Sequence, residues 1–168
     1  MEQVEHSIEN KTEPTIEKIL RFLEKGAPGI ELSKAQLIEN KGLDGDFHAT
    51  GGERQLSLRF VGSDDNGDDN DKSDGGTQKA KAINKKGLCT SRFKENITIR
   101  ASERVKPGTR LALGEAALEI SGESKHCYEE CELFQAGKIC HLAGKSFFAK
   151  VIKSGFFSVG DKVLVLKS

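Results

Sequence analysis

The chain has 168 residues, with Lys plus Arg and Asp plus Glu balanced at 26 each, enough for one domain with a hydrophobic core and too few for a comfortable second one. Balanced charge sets up no global field towards nucleic acid or an anionic membrane, so a charged ligand has to be met by a local pocket. No apolar run approaches the roughly 18 residues of a membrane span, and the opening MEQVEHSIEN is too acidic for a secretory signal; a cytoplasmic protein without nucleic-acid or membrane partners is expected, its four cysteines being thiols, ligands or a catalytic group rather than disulfides.

Residues 1–12 are polar and read as a flexible tail ahead of a single domain over 13–168. From Thr12 or Glu13 the pattern predicts a helix: Pro14 suits a first turn, Ile16, Ile19, Leu20 and Leu23 fall on one helical face, and Gly26 can close it. The segment KGLDGDFHATGGERQLSLRF is turn-rich, then alternates through Leu56, Leu58 and Phe60 as a strand. Gly42, Gly45, Gly51 and Gly52 serve turns there, and Asp44 or Asp46 caps one. His48 and Arg54 either line a pocket or form a solvated pair. Residues 62–86, acidic and then basic with almost nothing apolar, are expected to be a mobile surface loop. Its Asp and Asn residues lack the spacing of a calcium loop.

The second half is β-rich. ENITIR alternates through Ile97 and Ile99, TRLALGEAALEI folds about a Gly-Glu turn, and FFAKVIKSGFFSVGDKVLVL reads as three strands joined by Ser-Gly and Gly-Asp turns, with Asp161 a hairpin residue. The fold class is mainly β with a few short helices, in a closed or strongly curved sheet. Residues 124–141, SKHCYEECELFQAGKICH, interrupt these strands, and departures from a rigid scaffold are where sites sit. If Ser124 caps a short helix, Cys127 lies in its first turn and Cys131 one turn on. The helix dipole, Lys125 and a protonated His126 then favour a Cys127 thiolate, which makes it the best nucleophile or soft-metal ligand of the chain.

Three chemistries fit this window. Cys127, Cys131 and Cys140 with His126 or His141 could form a structural zinc site, although C-x3-C-x8-C-H departs from paired C-x2-C knuckles. Cys131 and Cys140 could be small buried hydrophobes beside Leu133, Phe134 and Ile139. Or Cys127 alone could act, carrying sulfur or binding a metal centre.

Taken in order, GLDGDFHATGGERQLSL, GLCTSRFKENITI, PGTRLALGEAALEISG, KHCYEEC and FFAKVIKSGFFSVGDKV resemble the MOSC domain, the module shared with the C-terminal part of molybdenum cofactor sulfurases, in its small stand-alone bacterial type. The likeness covers residues 42–165, because residues 1–41 do not show the apolar opening strand of that family. It implies a strand-rich barrel whose characteristic cysteine is Cys127, a residue similar to a molybdenum ligand in cofactor-binding relatives and to a persulfide acceptor in sulfurase-type relatives. Relatives that hold the pterin use F-R-P-N near its phosphate. Here FKEN puts Lys94 and Asn96 at those positions, with Arg92 two residues ahead, and Lys125 adds charge near the cysteine.

The implied function belongs to molybdenum-cofactor metabolism: sulfur carriage, or binding of molybdenum and molybdopterin. Related alternatives are a reductase component for N-hydroxylated compounds with a separate electron donor, and a zinc-stabilised module without enzymatic activity. A sulfur donor such as a cysteine desulfurase, or a redox partner, is the expected partner. The aminotransferase-like domain that carries pyridoxal phosphate in sulfurases is not seen, so no pyridoxal phosphate of its own is expected.

Overall fold

The structure, a computed structural model, describes residues 13–62, 93–101, 105–123, 129–137 and 145–167. Its elements are β1 (Thr15–Arg21), β2 (Ile30–Glu31), β3 (Lys34–Ile38), β4 (Gly42–Leu43), β5 (Leu56–Val61), β6 (Ile97–Arg100), β7 (Arg110–Leu113), β8 (Ala116–Glu123), α1 (Glu132–Gln135), β9 (Ser146–Lys153), β10 (Gly155–Ser158) and β11 (Val163–Leu166). The expected mobile loop falls almost wholly outside the described residues, as does the N-terminal tail.

The predicted first helix is a strand. β1 pairs antiparallel with β6, and its register shifts between Ile16 and Lys18. That bulge adds one residue to the alternation, so Ile16 and Ile19, three apart, both enter the core at 1% and 0% exposure. A bulged strand and a helix thus share a spacing of three. Leu23, which would have extended the helical stripe, is 58% exposed instead. The opening strand missing from the sequence pattern is therefore present.

Eight strands form one sheet in the order β11-β7-β8-β9-β5-β6-β1-β2, with β5 and β6 parallel. Of the closed or strongly curved sheet expected, the curved alternative is present: the sheet is a strongly curled half-barrel and not a closed barrel. Among the described residues one bridge, Thr15 with Lys162, joins the two sides, flanked by hydrogen bonds from Ile16 N–H to the Asp161 carbonyl, from Gly160 N–H to the Ile16 carbonyl and from Val163 N–H to the Pro14 carbonyl, and by a Lys162–Glu13 ion pair. Closure requires a ladder of strand length, and this overlap is one bridged pair. A second sheet, β10-β3-β4, adds Leu37, Leu43 and Phe157 to the core built from Ile19, Leu58, Ile97, Leu118 and Val151. No helix among the described residues is long and apolar enough to cross a membrane.

The hairpins of the second half fall where the alternation places them, and two of their turns touch. A Cβ on Gly155 would lie 2.5 Å from the Glu115 carbonyl carbon, so that residue must be glycine for packing alone. Asp161 does serve its hairpin, accepting a hydrogen bond from Ser158 N–H at 2.8 Å.

Candidate functional site

The turn after β4 begins with a steric demand. Gly42 has φ of 138°, and a Cβ there would lie 2.6 Å from the Gln55 carbonyl oxygen, so only glycine lets β4 lie against the residues ahead of β5. Gln55, itself 3% exposed, fixes that approach by donating to the Gly52 carbonyl and accepting from Val151 N–H. The chain then turns and buries the Asp46 side chain to 1% exposure.

Four donors converge on this carboxylate. Oδ2 accepts from Phe22 N–H at 2.8 Å and from Asn96 Nδ2 at 3.0 Å; Oδ1 accepts from His48 N–H at 2.8 Å and lies 3.0 Å from His48 Nδ1. An ionised carboxylate offers acceptors only, so the last contact needs the hydrogen on Nδ1. The imidazole is further set by the Phe47 ring, 3.7 Å away between centroids, and by the edge of Phe22. Its side chain remains 39% exposed.

Asn96 is 1% exposed. Its second Nδ2 hydrogen goes to the Leu20 carbonyl at 3.2 Å, and its Oδ1 accepts from Ser57 N–H at 3.1 Å. Both amide hydrogens are thus spent inside the protein, stapling the end of β1 to the starts of β5 and β6. Asn96 sits as an anchor, and the neighbouring Lys94 is the exposed cation of the FKEN segment.

Arg21, which the sequence pattern did not single out, lies against the same turn. A Cβ on Gly45 would meet its Cδ and Nη1 at 3.2 Å, and its Nε is buried without a hydrogen-bond partner. His48 and Arg54 do not form a pair: the first turns to Asp46, and the second lies 4.9 Å over the Phe148 ring. Arg92, Lys125 and Cys127 lie outside the described residues, as do His126, Cys140 and His141.

At the cysteine window, the start of the expected helix, Ser124 to Tyr128 with Cys127 in its first turn, lies outside the described residues, and only its continuation to Cys131 is corrected. Residues 129–130 form a turn and Cys131 is extended (φ −72°, ψ 123°), capping α1 rather than lying within a helix that starts at Ser124. Glu132 then opens α1 at the end its charge favours. Cys131 is buried at 8% exposure near Leu133 at 4%, which matches a small apolar residue. Among the described residues no group of three or more His, Cys, Asp and Glu is placed to hold a metal, and of the zinc set only Cys131 is described.

No family model matches the chain, and no curated protein matches it by sequence. Solved structures do match. The YuaD protein from Bacillus subtilis has a TM-score of 0.54 at 15% identity, over 91% of this chain and 95% of its own. YiiM from Geobacillus stearothermophilus has 0.52 at 13%, over 92% and 75%. A structure titled only as a hypothetical protein has 0.54 at 16%, over 94% and 70%. YuaD and YiiM are MOSC-domain proteins, and the likeness is one of fold: the described chain has a MOSC-like fold.

Proposed function

We propose that this chain is a MOSC-domain protein of molybdenum-cofactor metabolism, in which Cys127 carries sulfur or ligates molybdenum. The observation that supports this most is the meeting of three separated motif segments in a MOSC-like fold. Asp46 of GLDGDFH is bonded to Asn96 of FKENI, 50 residues away, and Asn96 to Ser57 of RQLSL, 39 away. Segments that carry a ligand site need such a junction at one end of the scaffold.

The donor chemistry fits a pterin phosphate and a soft metal in part. Cys127 is the thiolate ligand or sulfur carrier. Lys94, with Arg92 and Lys125, supplies positive charge for the phosphate, and Arg21 adds a guanidinium whose Nε has no hydrogen-bond partner among the described residues. Asn96, whose amide hydrogens go to Asp46 and the Leu20 carbonyl, holds the Lys94 segment in place. When bound, the molybdenum centre supplies electron or oxygen-atom transfer. Sulfur comes from a persulfide donor such as a cysteine desulfurase, or electrons from a separate redox partner.

Metal analysis and pterin fluorescence on protein purified from its own cells test this assignment. Molybdenum or releasable pterin is expected. Stoichiometric zinc, lost together with the folded state, would overturn it in favour of a zinc-stabilised module.

A further inference from the structure

We propose that His48 is a proton-transfer residue, with Nε2 as the reacting atom and Asp46 as its positioning residue, serving a small polar ligand that carries an ionisable N–H, O–H or S–H group. The dyad is local in sequence but is assembled from afar. Asp46 is held by Phe22 N–H and Asn96 Nδ2, so the carboxylate stays fixed when the imidazole moves. Its Oδ1 takes the Nδ1 hydrogen of His48 at 3.0 Å. That bond selects one tautomer and leaves the Nε2 lone pair free on the side of the ring away from the carboxylate.

A histidine serving only as a spacer has no need of a buried carboxylate as orienter. This one has that carboxylate, a Phe47 ring tilted 39° against the imidazole at 3.7 Å and a side chain still 39% exposed. The step is a single transfer: the Nε2 lone pair takes the ligand proton, Asp46 faces the resulting imidazolium across Nδ1–H, and the proton returns by the same path. No electrons move. Nothing in this depends on Cys127.

Diethyl pyrocarbonate is the probe. The Nε2 lone pair bonds to a carbonyl carbon of the reagent and expels monoethyl carbonate, which breaks down to carbon dioxide and ethanol, and site-resolved mass spectrometry reads the adduct at each histidine. In the full chain His48 is expected to react faster than His6, His126 or His141, and about tenfold faster than in Asp46→Asn, the lower end of what losing such an orienting partner costs. Equal rates in the two proteins would overturn the role of Asp46. Should Asp46→Asn not fold, long-range 1H–15N spectra of the unaltered protein decide: neutral His48 protonated on Nδ1 is expected, and protonation on Nε2 sinks the proposal. The His48 rate in Cys127→Ser is expected to be unchanged, so failure of the cysteine assignment leaves this result intact.

Discussion

The turn around Asp46 and the short helix α1 carry comparable amounts of polar chemistry, yet they are built in opposite ways. Asp46 is held by residues 24 and 50 positions away, and through Asn96 it joins the ends of three strands. α1 is four residues long, its Gln135 bonds reach only the Cys131 and Glu129 carbonyls, and it enters the interior through Leu133 while Phe134 stays 51% exposed. Long-range bonds fix a site before any ligand arrives, whereas a one-turn helix contributes little to fixing anything but itself. A turn tied down by bonds across the sheet is preorganised to hold a ligand group.

Stability measurements separate the two regions. Asp46→Ala leaves several buried donors without an acceptor and should cost about 4 kcal/mol in urea unfolding. Gly42→Ala pushes a Cβ against the Gln55 carbonyl at a φ that disfavours side chains, and about 3 kcal/mol is expected. Leu133→Ala should cost about 2 kcal/mol, at the low end for a buried leucine, because a one-turn helix can settle into the gap. Phe134→Ala and Lys94→Gln, both at exposed positions, should stay within about 0.5 kcal/mol. If Leu133→Ala proved more damaging than Asp46→Ala, the helix rather than the turn would be the anchored region.

What could be read in the sequence divides along the same line. The β7–β8 hairpin and the strands from Ser146 onward were legible because alternation and turn glycines are local signals. β1 was not, because its bulge gives Ile16 and Ile19 the spacing of a helix. β2 and β4, two residues each, carry too few residues for a pattern. Asp46 was readable as a turn cap, and it does bond His48 N–H two residues on; its bonds to Phe22 and Asn96 depend on pairings that only the folded sheet brings about. For the same reason Asn96 resembled a ligand residue in FKEN while the fold turns its amide inward. Arg21 had no motif around it, and only its unpartnered Nε marks it.

In the proposed function one sulfur, Cys127, carries the chemistry while Lys94 and its neighbouring cations hold the cofactor phosphate. The direct measurement is pterin content and protein persulfide per chain in the unaltered protein and in Cys127→Ser, both purified from the native cells. Loss of the persulfide signal or of bound cofactor in the variant, with its unfolding curve unchanged, is predicted. The same cofactor and the same persulfide signal in both proteins would contradict it.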